Sequence, residues 1–346
     1  MIIHAFTINA QDVALQELIE NELAAFPDCE IAIGIIDKQE ALKLGYKKEN
    51  NDWVSVKNSG TLFEIASISK IFTAALLARE VEKGLISIED SLQKHLGFNI
   101  KNDTYENQTL KIKHLITHTS GLKKNPLTNY KRYSNYLKGF QLDYVPGTNW
   151  EYNNLTIGLL AQITAEKNET TWTNMLKEGI LQPLGMNNTY VNLQETPEAN
   201  RVQCVNKNGD IKDCYFHKIG AFQWPSGGMI SNIDDMLKWL EANMNETVDE
   251  LKFLNEAHQT MGDSISIPWF EKYKATQGFI WWHYRTEKGQ RIICHGGNSP
   301  AQTSFLAFDK ARKKGIVVLV NIDGRSLLNE EQILKSTALA MKVLEQ

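Results

Sequence analysis

The chain has 346 residues, 42% of them hydrophobic and 23% charged, with a formal net charge of −4. That is enough apolar material for a substantial core, and the charge leaves no electrostatic footprint for nucleic acid. The basic clusters, Lys111 with Lys113 and Arg312 with Lys313 and Lys314, read as solvated faces or turns. No apolar run approaches a membrane span, and Met1-Ile2-Ile3-His4-Ala5-Phe6 lacks both a basic n-region and a long h-region. The expectation is a chain with no signal peptide and a cytoplasmic location, or a periplasmic or secreted one if a leader has been removed.

In chain order, residues 12–26 read as an amphipathic helix and Glu30–Asp37 as a strand. Residues 71–83 have helical periodicity and good helix formers, with Gly84 as the stop. Just ahead stand Ser67 and Lys70, three residues apart and so on one face, one turn apart. A helix N-terminus favours negative charge there, and the Ser67 N–H can help hold a developing oxyanion. A desolvated Lys70 loses its proton readily and can take one from Ser67 Oγ. Alone, such a pair reads equally as a solvated surface feature. Phe63, Ile65, Ile71 and Phe72 around it argue against an open surface.

The turn Val145-Pro146-Gly147-Thr148 leads to Tyr152-Asn153-Asn154 and a helical run over 155–163. A phenol can act as a base or proton relay, and the Asn154 carboxamide can orient a lysine and a substrate carbonyl. Bringing a tyrosine from ~10 to pH 7 takes roughly 4 kcal/mol, more than one lysine supplies. The plainer alternative is an ordinary turn with a half-buried tyrosine.

Cys204 and Cys214 flank the turn 206–210 and can close a hairpin disulfide or remain two thiols, while Cys29 and Cys294 read as buried small apolar residues. Ser231 with Asp234 reads as a capping box for a helix around 236–240, with Gly227 and Gly228 in the loop before it. Residues 291–295, 302–308 and 315–321 read as an antiparallel meander, followed by a final helix over 327–345. His295-Gly296-Gly297-Asn298 ends the first of these strands. Its paired glycines admit close approach of a second backbone or a substrate, and His295 is a candidate partner for the Tyr152 phenol. A histidine at a strand end before a glycine turn is the plainer alternative. Trp224, Trp281, Trp282, Tyr284 and the pair Trp269-Phe270 are either subsite walls or core packing. His114 and His118 lack an intervening acid and a third ligand, so neither metal nor cofactor is expected. There is no Walker A loop, dinucleotide fingerprint or Gly-x-Ser-x-Gly elbow.

These elements predict an α/β (α+β) fold: an antiparallel sheet built from N- and C-terminal strands, flanked by helices, with a mainly helical lobe. The expected organisation is one unit over 1–346, in which 1–69 and 270–346 form the α/β lobe and 70–269 the helical lobe. Ser67, Tyr152 and His295 would converge in the cleft between them.

Ser67-x-x-Lys70, Tyr152-x-Asn154 and His295-x-Gly297, in this order, resemble the serine β-lactamase and penicillin-binding protein superfamily, in its class C β-lactamase, D-alanyl-D-alanine carboxypeptidase and esterase branch. The stretches His118-Thr119-Ser120-Gly121-Leu122, Gln182-Pro183-Leu184-Gly185-Met186, Ser226-Gly227-Gly228-Met229-Ile230-Ser231 and Phe305-Leu306-Ala307-Phe308-Asp309 extend the resemblance over nearly the whole chain. It implies a β-lactamase/transpeptidase-like fold. It further implies Ser67 as the acylated nucleophile, Lys70 and Tyr152 as proton carriers, and the N–H groups of Ser67 and Asn298 as the oxyanion hole. One departure stands out: β-lactamases of this branch usually carry Lys-Thr-Gly at the third box, and here the lysine and threonine side chains are replaced by His295 and Gly296. Losing a charge-assisted contact to a substrate carboxylate costs roughly 1.5–3 kcal/mol, or about ten- to a hundredfold in binding. The expectation is therefore a serine hydrolase working through an acyl-enzyme on amide or ester substrates of D-amino-acid type. The alternatives are a class C β-lactamase, or a penicillin-binding or sensing domain that acylates without turnover. The expected partner is a small-molecule or peptide substrate, with no nucleic acid; the sequence sets no oligomeric state.

Overall fold

A computed structural model describes residues 10–49, 52–124, 129–191, 193–206, 210–212, 220–245, 251–261, 267, 274–329 and 334–346. Among these, the largest sheet has eight strands, all antiparallel, in the order Thr276–Gln277, Trp282–Arg285, Arg291–Asn298, Thr303–Asp309, Lys314–Val320, Glu30–Asp37, Glu40–Glu49 and Asp52–Ser55. The N-terminal strand enters beside the C-terminal meander, with Ile31 opposite Val320 and Ile35 opposite Ile316. Every position of Thr303–Asp309 and Lys314–Val320 is buried. That is why these strands read as continuous apolar runs rather than alternating ones: both faces of the sheet are covered.

On one face the terminal helices set Leu15, Ile19, Leu23, Leu339 and Val343 against Ile31, Ile33, Val318 and Val320. On the other, the helix Ile233–Met244 packs so closely that a Cβ on Gly34 would lie 2.9 Å from Ile233 and Leu237. The helix Ser69–Glu82 is buried along most of its length, with Phe72 stacked on Trp239 at 4.1 Å between ring centroids. Gly84 takes a left-handed φ of 71°, as its stop requires.

Several boundaries differ from the sequence reading, among them the strand read over 291–295, which runs on through Asn298. The first helix is Ala10–Leu23. The final helix is Lys335–Glu345, because Asp323 accepts from Arg325 and Ser326 N–H and turns Gly324–Leu327 into a separate short 3-10 segment. The cap of the Ile233–Met244 helix is Asn232, whose side chain accepts from Asp235 N at 2.9 Å; Ser231 pairs in a short strand with Phe63 and bonds Thr189 instead. Cys29 and Cys294 are buried free thiols whose pKa values burial pushes up, that of Cys29 to about 12. Cys204 is disulfide-bonded; Cys214 lies outside the described residues. No helix among the described residues is long and apolar enough to cross a membrane.

Candidate active site

The residue before Ser67 sets the geometry. Ala66 has φ 44°, a left-handed conformation that costs a non-glycine residue about 1–2 kcal/mol. The turn is held from both sides: Ser69 Oγ donates to Ala66 O at 2.7 Å, and the Ile65 carbonyl accepts from Ile68 N at 3.0 Å and from Ser304 Oγ at 2.7 Å. Ser67 therefore stands half-buried in the 3-10 turn Ala66–Ile68 that feeds the helix Ser69–Glu82.

One turn on, Lys70 is fully buried, with Nζ 3.0 Å from Ser67 Oγ. The amine also donates to the carbonyl of Ser226, and Thr73 Oγ1 donates to that of Pro225 at 2.9 Å. The short helix Trp224–Gly227 thus gives these carbonyls to the Ser69–Glu82 helix. Burial alone drives the Lys70 pKa well below the ordinary lysine range, with no carboxylate opposing it.

Tyr152 lies half-buried over Lys70, whose Nζ is 4.7 Å from the ring centroid. Burial pushes the phenol above its ordinary pKa, and its hydrogen bond with Ser67 opposes this only in part. It is a neutral hydroxyl rather than a phenolate. Asn153 caps the next helix, Asn154–Lys167, accepting from Leu155 N at 3.0 Å and donating to Leu122 O at 2.9 Å. Asn154, the first residue of that helix, is exposed and makes no hydrogen bond to Lys70.

The strand Arg291–Asn298 passes the turn carrying Ser67 at contact distance. A Cβ on Gly297 would meet Ile65 O and Ser304 Oγ at 2.3 Å and Ser67 N at 3.0 Å, so only glycine fits. Asn298 is exposed and its Oδ1 accepts from Gly324 N at 2.7 Å, which ties its side chain back. The neighbouring strand Trp282–Arg285 pairs only as far as Cys294. Beyond that point, 295–298 present an open strand edge among the described residues.

His295 does not bond the Tyr152 phenol. Its ring lies flat on Trp282, at 4.2 Å between centroids, with Nδ1 donating to Gly296 O at 2.7 Å and Nε2 unpartnered. Burial lowers its pKa to about 3. Trp281, Trp282 and Tyr284 are buried and Trp224 packs partly buried against the core, so core packing accounts for these aromatics; Trp269 and Phe270 lie outside the described residues.

Sequence reasoning assigned no role to two further participants. Ser226 supplies the carbonyl that holds Lys70, and His118, also fully buried, packs against Tyr152 at 4.6 Å between ring centroids. Both sit in stretches the sequence singles out, but nothing local reveals their partners.

The arrangement is a neutral amine and a neutral phenol around one reachable hydroxyl, beside a glycine strand with a free edge. A family model described as Beta-lactamase matches residues 31–337. The Protein flp of Staphylococcus aureus (strain N315) is 23% identical over 331 residues, covering 91% of this chain but 64% of that protein. The chain thus spans less than two thirds of such relatives' length. A Beta-lactamase of Providencia stuartii is 27% identical over 248 residues, 70% of this chain and 62% of that protein. Among solved structures, a Beta-Lactamase/D-Alanine Carboxypeptidase from Pseudomonas syringae superposes with a TM-score of 0.77 at 23% identity, covering 96% of this chain and 99% of that one. A class C beta-lactamase gives a TM-score of 0.77 at 18% identity, covering 98% of each chain.

Proposed function

We propose, from the premise that this chain belongs to the beta-lactamase family, that it is a serine hydrolase forming an acyl-enzyme on Ser67 with amide or ester substrates of D-amino-acid type. The observation that carries the reading is a fully buried, uncharged Lys70 amine 3.0 Å from the Ser67 hydroxyl. In this mechanism Lys70 takes the Ser67 proton as Oγ attacks the carbonyl, and the N–H groups of Ser67 and Asn298 receive the developing oxyanion. Tyr152, bonded to Ser67, passes a proton towards the leaving group. The open edge at 295–298 suits an extended peptide-like substrate, and the exposed Asn154 carboxamide suits its carbonyl. Water then releases the acyl group. A fluorophosphonate or activated-ester probe should add mass to the wild type and not to Ser67→Ala; equal labelling of both would remove Ser67 from the mechanism.

Hydrolysis of β-lactams is the neighbouring reading, since relatives and neighbours carry that name. The neutral His295 and side-chain-free Gly296 speak against it, because neither supplies an ionic partner for the β-lactam carboxylate. Comparing a chromogenic cephalosporin, p-nitrophenyl esters and D-amino-acid peptides separates the two. A third reading, acylation without turnover, is favoured by the phenol's raised pKa, which keeps Tyr152 protonated at neutral pH and leaves little phenolate to activate the deacylating water. A burst of one product equivalent with no steady rate afterwards would select it.

A further inference from the structure

We propose that His118 is a positioning residue for Tyr152, acting through a ring Nδ1 that accepts the backbone N–H of Asn153 while its own carbonyl accepts that of Glu151. The two bonds, 3.3 Å to Asn153 N and 2.7 Å to Glu151 N, grip the chain immediately on either side of the tyrosine. The imidazole then packs on the phenol ring at 4.6 Å between centroids and at 44°. Holding both N–H groups at once needs a residue whose backbone turns back on itself, and His118 does so with φ 58°. Few residue types other than glycine accept that conformation; histidine, asparagine and aspartate are the enriched ones.

The bond pattern also sets the proton's place. Nδ1 is an acceptor, so the neutral ring carries its hydrogen on Nε2, which is buried and makes no bond among the described residues. A doubly protonated ring would turn Nδ1–H against Asn153 N–H, donor to donor, and release that grip. Burial pushes its pKa well below the ordinary histidine value and keeps the ring neutral. Trp150, whose Nε1 donates to Gln277 Oε1 at 3.1 Å, anchors the same loop to the sheet from the other side.

This inference rests on the reading of Ser67 as nucleophile, and the test separates the two. His118→Asn keeps an acceptor at the δ position and tolerates a left-handed φ; His118→Gln and His118→Leu do not. In the full chain, kcat on an activated ester and the rate of Ser67 labelling by a fluorophosphonate are measured for each, alone and in a Tyr152→Phe background. His118→Leu and His118→Gln should lower both rates roughly 10- to 100-fold, as a misplaced catalytic group does, with KM within about threefold. His118→Asn should stay within about threefold of wild type. In the Tyr152→Phe background the leucine and glutamine variants should cost nothing further, because what they misplace is already gone.

If the leucine variant does not fold, the asparagine–glutamine comparison carries the test. Equal rates for those two, or a full loss that persists without the Tyr152 hydroxyl, overturns the proposal. A wild type that labels on Ser67 alongside unaffected His118 variants overturns this inference alone. A wild type that fails to label overturns the Ser67 reading and this one with it.

Discussion

Lys70→Ala should slow acylation of Ser67 by about 10⁴-fold and Tyr152→Phe by only about 10²-fold, the two ends of the range for general acid–base groups. The order follows from charge. Burial pushes the Lys70 amine towards its free-base form, while it keeps the Tyr152 phenol protonated, and His295 contributes no cation that would ionise it. Single-turnover labelling with an activated ester measures both rates, and a phenylalanine variant slower than the alanine one would reverse the assignment. The acylation rate should rise with pH through the Lys70 pKa, so its limb lies well below the ordinary lysine range, with no separate limb near the usual histidine value.

The same burial has a cost in stability, and its sign can be worked out. The unfolded chain holds a proton on Lys70 up to the ordinary lysine value of 10.5, a proton the folded chain loses at lower pH. The unfolded state therefore binds more protons, and stability rises with pH across that window. Lys70→Met, of similar shape and without charge, should be inactive yet melt at a higher temperature than wild type. The difference should be full below the folded pKa and shrink as pH approaches the unfolded value. A methionine variant that melts lower at neutral pH would show that the amine's bond to the Ser226 carbonyl outweighs its desolvation.

Gly297→Ala should lower Ser67 labelling by about 10²- to 10³-fold, the loss expected when oxyanion donors move apart. A methyl group there would overlap Ile65 O and Ser304 Oγ at 2.3 Å, both of which hold the turn carrying Ser67. Neither can retreat cheaply, since the two are bonded to each other, so a destabilisation of about 1–3 kcal/mol should accompany the loss. Gly296→Ala is the control. Its Cβ would meet Phe305 at 3.4 Å and Trp282 at 3.6 Å, ordinary contact distances, and both readouts should stay near wild type. Equal damage from the two would mean that the strand as a whole, rather than its approach to Ser67, is what alanine disturbs.

What was legible beforehand depended on how local the physics is. Ser67 and Lys70 are three residues apart where a 3-10 turn runs into one helix, and the strand Glu30–Asp37 declares itself by a run of aliphatic residues, so both could be read directly. The antiparallel C-terminal meander followed because each of its strands is a short step from the next, but four strands of the sheet, Glu40–Glu49, Asp52–Ser55, Thr276–Gln277 and Trp282–Arg285, were not read. The orientation of His295 was not legible: its flat packing depends on Trp282 from the adjacent strand, and that contact turns Nδ1 to the Gly296 carbonyl. His118 was hidden for a similar reason, with its ring partner Asn153 N lying 35 residues away. Ser231 and Asn232 are both good capping residues, and only the strand contact with Phe63 decides which of them caps.

The site is stratified by depth. Lys70, His118 and His295 have no exposed surface, whereas Ser67 and Gly296 are half-open and Asn154 and Asn298 are exposed. Proton handling is thereby confined to a dry floor and recognition to a wet rim, with Ser67 the hinge between them. Selectivity in such a protein can drift through Asn154 and Gly296 without retuning a single acid or base. A laboratory search for new substrates would therefore randomise those two positions and leave the floor untouched.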